Sequence, residues 1–278
     1  MPWFPDFVNA AQLARRETHT AGQADPVGQY LTALQGGDAD PVETAWPGDV
    51  VVLDPRAGEV RGHRPLQQFV RRNQAWLAEH DAHIETLAAI RVGTRAVVEL
   101  VARVVVEGRE TTWPVAVVAE SVDERSVVFR TYCSQVPVDG RRHVRPPMLE
   151  PGGAAPRLDD VVDHYVAALE AGDTTALTGM FASQGYLREP IGANATHRGA
   201  AELRSYFARC FSAGGGIGLQ QCARTDDGTD CAVEYNVVRW GSHDLAPQAG
   251  LGVFERSPDG LLAAVRVYDD VEAPLLHG

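Results

Sequence analysis

Asp54-Pro55 and Glu189-Pro190 lie 135 residues apart, and each acid follows a tyrosine, Tyr30 or Tyr165, by 24 residues. A carboxylate is ordinarily a solvated surface group. Drawn out of water it becomes a candidate for proton transfer, so an acid kept at one distance from a phenol is the first place to look for chemistry. One such spacing is weak; two copies in diverged sequence are stronger.

Both pairs belong to a longer repeat. The segment VGQYLTALQGGD at 27–38 returns as VDHYVAALEAGD at 162–173, with six of twelve positions identical. At the same offset Trp46 meets Phe181 and Glu99 meets Glu234, while Arg130-Thr-Tyr132 answers Arg266-Val-Tyr268 at an offset of 136. The period exceeds the roughly 20 to 50 residues of a solenoid unit and suits a duplicated domain. The expected division is an N-terminal arm over 1–24, a first domain over 25–137, a linker over 138–157 rich in Pro, Gly and Arg, and a second domain over 158–278.

Composition removes several function classes. With 45% hydrophobic and 22% charged residues the chain is ordinary globular protein, long enough for two cores. The formal charge is −12 and every one of the 25 cations is arginine. An acidic chain without a basic block argues against nucleic acid or an anionic membrane as partner. Without lysine there is no Schiff-base, pyridoxal or Walker-type chemistry. No apolar run reaches the ~18 residues of a membrane span, and residues 1–6 lack a secretory pattern, so a cytoplasmic location is expected. In that compartment Cys133, Cys210, Cys222 and Cys231 are expected as free thiols, although Cys222 and Cys231 can face one another across a turn at Thr225–Thr229.

The elements that must position the acids follow from periodicity. Phe7, Ala10, Ala11 and Leu13 suggest a short helix in the arm, beside Trp3-Phe4. Tyr30, Ala33 and Leu34, and Val162, Tyr165, Ala168 and Leu169, keep a helical rhythm. Asp159 or Asp160 would cap the second of these helices, and Gly37 and Gly172 would stop them. A short helix, a short strand closed by the acid-proline pair, and a third helix over 65–77 or 200–211 come next. Strands over 96–106, 112–119 and 126–134 complete the first half, and 231–240, 249–255 and 261–268 the second. Helices grouped before an antiparallel meander make an α+β domain. The strand 97–106 is apolar on both sides of its alternation, so both sheet faces are expected to be covered, one by helices and one by the sister domain.

The helix tyrosine, the Gly-Asp at the helix end, the acid-proline pair and the glycine before the third helix resemble the nuclear-transport-factor-2-like superfamily, nearest its SnoaL-like and ketosteroid-isomerase-like members. The resemblance covers about 25–137 and 158–275. It implies two cone-shaped α+β domains, each a curved, mostly antiparallel sheet with three helices, arranged as a pseudo-dimer. In the steroid isomerase the acid is the general base and the tyrosine donates to the developing oxyanion, roles that map onto Asp54 with Tyr30 and onto Glu189 with Tyr165. A carboxylate in an apolar cone is a stronger base, and a phenol polarises an enolate oxygen without carrying charge.

The isomerase's second donor has no counterpart. The matching strand reads Trp113-Pro-Val-Ala in one half and Pro247-Gln-Ala-Gly in the other, so steroid isomerisation itself is not expected. Glu99 or Glu234 could stand in, and alternation puts Glu234, Asn236 and Trp240 on one strand face. The bland reading of these acids is a buried pair with Arg103, Arg239 or Arg266. Glu99, Trp113, Glu234, Asn236 and Trp240 are therefore the candidate substrate contacts. The expected activity is cofactor-independent acid-base catalysis on a small apolar metabolite, of isomerase, cyclase or dehydratase type; epoxide opening, or ligand binding without chemistry, is the alternative. No metal site is expected: His80-Asp81-Ala-His83 has the residue types but no counterpart in the second half. Gly214-Gly215-Gly216 lacks the preceding strand and following lysine of a phosphate loop and reads as a flexible connection. Expected partners are the small molecule, the sister domain and, further, a second copy of the chain.

Overall fold

The computed structural model describes residues 24–152 and 160–271. The arm helix, the Trp3-Phe4 pair and residues 153–157 of the expected linker lie outside them. Both repeats build one order of elements. The first comprises α1 (Pro26–Gly36), α2 (Asp40–Ala45), β1 (Val50–Asp54), β2 (Gly58–Arg61), α3 (His63–Glu79), β3 (His83–Val92), β4 (Arg95–Val106), β5 (Arg109–Ser121) and β6 (Val127–Tyr132). After a short α4 (Val136–Asp139), the second comprises α5 (Val161–Ala171), α6 (Thr174–Gly179), β7 (Phe181–Arg188), β8 (Thr196–Arg198), α7 (Gly199–Cys210), β9 (Ile217–Asp226), β10 (Asp230–Trp240), β11 (His243–Arg256) and β12 (Leu262–Val267).

Each sheet is open and six-stranded, in the orders β2-β1-β6-β5-β4-β3 and β8-β7-β12-β11-β10-β9. In the second sheet every pairing is antiparallel except β7 with β12, where Leu187 stands opposite Val265. The first sheet has the same parallel junction, with Val52 opposite Phe129. The architecture is thus α+β in two tandem domains. By compactness the chain divides into one unit running to Glu110 with Ala116–Thr131, and another of Thr111–Val115 with everything from Tyr132 on.

The helix signals in the sequence work as local chemistry requires. Asp25 accepts from Gly28 N, Asp160 from Val162 N and Asp173 from Ala176 N, each satisfying a free amide of the first turn. Gly37 and Gly172 end α1 and α5 in the left-handed region, at φ 71° and 72°. Apolar faces then meet the sheet. Val162, Tyr165 and Leu169 of α5, with Leu203 and Phe207 of α7, pack on Phe181, Leu187, Val233 and Phe254. Each large side chain so buried contributes about 1.5–3 kcal/mol. Among the described residues no helix is long and apolar enough to cross a membrane.

Two expectations change. The described part of the linker is docked on the second unit: Ala249 N donates to Arg145 O, Gly152 N donates to Gln221 O, and a side chain at Gly152 would collide with Cys222 O. The triple glycine is a close crossing of backbones and not a loose connection. A Cβ at Gly216 would strike Leu169 O and Glu170 O, and Gly241 N donates to Gly216 O at 2.7 Å. All four cysteines are free; Cys231 stands opposite Asp226, which keeps it out of register with Cys222.

A charge network closes the end of the second core. Arg224 reaches Asp160, Asp163 and Asp226, and Arg256 reaches Asp160 and Asp226. Burial pushes Asp160 and Asp226 toward the neutral form, yet the Arg256 hydrogen bonds, a backbone amide and Arg224 hold both below the ordinary carboxylate range. Groups lowered in this way stabilise the fold above about pH 4 and lose that contribution as the pH falls through their folded values. Arg256→Met, which leaves Asp160 and Asp226 with Arg224 as their remaining cation, is expected to cost about 1–3 kcal/mol at pH 7. Urea unfolding at pH 7 and pH 3 checks this, with the gap between wild type and variant narrowing at the lower pH.

Candidate functional site

The second unit holds a partly open cavity of about 370 Å³ between α5, α7 and the sheet. Five aromatic residues stand among its walls: Tyr165 from α5, Tyr206 and Phe207 from α7, Tyr235 and Trp240 from β10. Tyr165 anchors the set, its ring edge-on to Phe254 at 5.3 Å and to Phe181 at 6.2 Å. Burial raises the Tyr165, Tyr206 and Tyr235 phenols, so all three stay protonated donors at neutral pH. Five charged groups share this lining: the carboxyl groups of Glu189, Asp269 and Asp270 and the guanidinium groups of Arg142 and Arg209.

Asp269 lies two residues beyond β12. Its Oδ1 accepts from the Tyr235 hydroxyl at 2.9 Å, and Leu251 N also donates to the carboxylate. Burial dominates these bonds and, with Asp270 beside it, pushes Asp269 up to about 7. The group is therefore near half-protonated at neutral pH, able both to give and to take a proton. Its place is made by a missing side chain. Gly250 stands opposite Tyr235 in the β10–β11 pairing, and a Cβ there would lie 2.7 Å from Asp269 Cγ and collide with the Tyr235 ring. The acid that strand 247–250 lacks is thus supplied from the end of the neighbouring strand, into the space that Gly250 leaves. Gly250→Ala is expected to destabilise the fold by about 1–3 kcal/mol through overpacking and to displace Asp269. Thermal melts, with the pH at which Asp269 ionises, check both.

Asp270 is a staple. Its Oδ2 accepts from Gln135 N and from His143 N, each at 3.0 Å. Glu189 sits just past β7, its backbone N donating to Ala195 O and its O accepting from Gly192 N. Its Oε1 is 2.7 Å from His197 Nε2, and the His197 ring stacks on Tyr206 at 4.5 Å. Arg188 stands opposite Arg266 in the parallel β7–β12 pairing, which puts Glu189 level with Val267. One strand spacing and two further residues then separate the Cα atoms of Glu189 and Asp269 by roughly 8 Å. Two carboxyl groups thus reach one cavity from adjacent chain ends. Cys210 is held as a neutral thiol, pushed up to about 11 mainly by burial, and is no nucleophile at pH 7.

The residues expected from sequence fall in different places. Glu189, Tyr165 and Trp240 line the cavity. The phenol that hydrogen-bonds a cavity carboxylate, however, is Tyr235 on Asp269. In β10 the cavity face is Tyr235 and Val237, and Glu234 and Asn236 point to the other face. A register shift between Val237 and Arg239 brings Trp240 round to the cavity side, which breaks the expected shared face of Glu234, Asn236 and Trp240. Glu234 accepts from the Tyr132 hydroxyl at 2.7 Å, and Asn236 donates to Leu149 O. Arg266, Arg103 and Arg239, the expected partners of the strand acids, reach Glu255, Glu85 and Glu170. Trp113 donates to Ser134 O at 2.7 Å, and Glu99 is buried on β4.

In the first unit Tyr30 stacks on Phe129 at 4.4 Å. Asp54 Oδ1 accepts from Arg56 N and Ala57 N, at 2.9 and 2.8 Å, closing the turn between β1 and β2. Where the second repeat has Tyr235, Gly250 and Asp269, the first has Leu100, Val115 and Cys133. His197 pairs with Leu187 as Val60 pairs with Val52, so a valine stands where the second repeat has the imidazole. Sequence reasoning missed Tyr235, Asp269 and His197. The legible signal was two acids after an apolar strand, Tyr268-Asp-Asp, with nothing to match them after Tyr132.

No functionally curated protein matches the chain. Among solved structures it is similar to the epoxide hydrolase/cyclase-like enzyme SalBIII of pyran ring formation in polyether salinomycin (23% identity, 39% of this chain and 86% of that one, TM-score 0.33). It is also similar to a protein with a ketosteroid isomerase-like fold from Catenulispora acidiphila, in complex with trimethylamine (17%, 42% and 88%, 0.35), and to a SnoaL-like protein of unknown function from Burkholderia thailandensis (16%, 38% and 89%, 0.31). The model of the SnoaL-like domain matches residues 27–129 and again 162–265, and with most of its length so matched the chain belongs to the SnoaL-like domain family, in tandem.

Proposed function

We propose that the second domain is a cofactor-independent acid-base enzyme that acts on a small, largely apolar metabolite, by isomerisation, cyclisation or dehydration. The observation that carries this reading is the buried Asp269–Tyr235 pair in a cavity that Glu189 also lines. Buried acids kept for structure alone are usually locked onto arginines. Here Asp269 is held by a phenol and a backbone amide, Asp270 by two amides and Glu189 by an imidazole. A cavity of 370 Å³ is at the small end of ligand pockets, which run from roughly 300 to 1,000 Å³.

The chemistry follows from two carboxyl groups that reach one cavity. Asp269, protonated, gives its proton to a carbonyl, hydroxyl or epoxide oxygen of the substrate. Glu189 takes a proton from a substrate carbon or hydroxyl. After an isomerisation the proton on Glu189 returns to another carbon while the enol oxygen gives its proton back to Asp269; after ring closure or dehydration the two acids exchange states and solvent resets them. Opening of an epoxide fits the same pair, Asp269 protonating oxygen while Glu189 activates the attacking hydroxyl.

The test is a panel of small 1,2-epoxides, hydroxy-ketones and β,γ-unsaturated ketones incubated with the full chain and followed by NMR. Turnover that disappears in Asp269→Asn and persists in Asp54→Asn supports the reading. Turnover that survives Asp269→Asn contradicts it, and saturable binding with no product in any case favours a container for small molecules.

A further inference from the structure

We propose that His197 is the positioning residue for Glu189 and that this pairing belongs to the second repeat only; the proposal rests on the acid-base reading above. Glu189 lines the cavity and His197 does not. The imidazole stands behind the acid on the edge strand β8, with Nε2 donating to Oε1 at 2.7 Å. That bond fixes the carboxylate and leaves Oε2 as the oxygen available to a bound molecule. The imidazole is fixed in turn: it stacks on Tyr206 at 4.5 Å and 24°, and its backbone sits opposite Leu187 in the β7–β8 pairing. Tyr206 and Leu187 are themselves cavity walls. One chain of contacts therefore runs from the wall that a substrate touches, through the imidazole, to the acid that takes its proton.

The first repeat is an internal control. Asp54, the counterpart of Glu189, has Val60 where an imidazole would have to stand, and its Oδ1 is spent on two turn amides. A carboxylate that closes its own turn needs no second residue to hold it. One turned toward a cavity that also holds Arg142 and Arg209 does, because a free carboxylate would swing to water or to the nearest cation. Misplacing a reacting group by about 1 Å costs on the order of a hundredfold in rate, which sets the size of effect to look for.

Two variants of the full chain separate the donor from the ring. His197→Phe keeps the stack on Tyr206 and removes the donor; His197→Gln keeps a donor and removes the ring. The first measurement needs no substrate: long-range proton–nitrogen NMR of histidine-labelled protein. The expected result is a protonated Nε2 on His197 with an exchange-protected proton, which is lost in Glu189→Ala and kept in Asp269→Asn. An Nε2 without that proton, or one indifferent to Glu189→Ala, overturns the proposal whether or not a substrate is in hand. With a substrate from the panel, His197→Phe is expected to lower kcat about a hundredfold with KM within about twofold, and His197→Gln to recover much of the loss. Unchanged kcat in His197→Phe also overturns it. These failures are distinct from failure of the acid-base reading: turnover that survives Asp269→Asn removes that reading and leaves the Glu189–His197 bond standing.

Discussion

Asp269→Asn is expected to lower turnover by about 10²–10⁴, the range attributed to a positioned general acid. Asparagine fills the space beside Gly250 and still accepts from Tyr235, but it has no proton to transfer. The loss should therefore fall on kcat and leave binding largely intact. The pH profile carries a second signature. In the wild type the acid form is active, so activity is expected to decline as the pH rises through about 7, where burial has moved this carboxyl; the residual activity of the variant should show no such decline. Stability moves with the same group. Because the folded value lies above the ordinary one, the contribution of Asp269 is fully present below about pH 4 and is lost as the pH rises through about 7. The penalty approaches roughly 4 kcal/mol once the group is ionised in place, at about 1.36 kcal/mol for each tenfold change in proton affinity. Thermal melts at pH 5 and pH 9 should therefore show a larger drop for the wild type than for Asp269→Asn, with the variant the more stable protein at pH 9.

The second large effect is an asymmetry between repeats. Glu189→Gln is expected to lower turnover by at least about a hundredfold, and Asp54→Asn, the same change at the matching position, to leave it within about twofold. Both acids precede proline and follow a strand, so sequence alone treats them as equals. Geometry does not. Asp54 closes a turn, and replacing it should cost on the order of 1 kcal/mol of stability through the weakened hydrogen bonds to Arg56 N and Ala57 N. Glu189 faces a cavity that also holds Asp269, and its imidazole support has no counterpart at Val60. Parallel kinetics and melts on the two variants check the asymmetry: one should lose rate and keep stability, the other the reverse.

How much of this could be read from the chain follows from what each feature depends on. The repeat, the helix of Tyr30 or Tyr165, its Asp and Gly ends and the long strands of each meander are local, and periodicity with capping chemistry shows them. The edge strands β3 and β9 bury few of their residues; without a regular alternation of apolar and polar positions they read as connections. The parallel pairing of β1 with β6 joins strands more than 70 residues apart and leaves no local mark. The site was legible in part for the same reason. Glu189 and Tyr165 come from the helix and strand whose periods are clear. Asp269 owes its position to an absence at Gly250 on the neighbouring strand, and Trp240 to a register shift that reverses a simple alternation. His197 enters through a three-residue strand opposite Leu187, too short for any pattern.

The account rests on a carboxylic acid kept near neutrality inside the second domain. Carboxyl carbon-13 NMR of the full chain, with Asp269 assigned by its loss in Asp269→Asn, follows that proton directly between pH 3 and pH 10. A midpoint near 7 is the expected result; a carboxyl group already ionised below pH 4 would contradict the account.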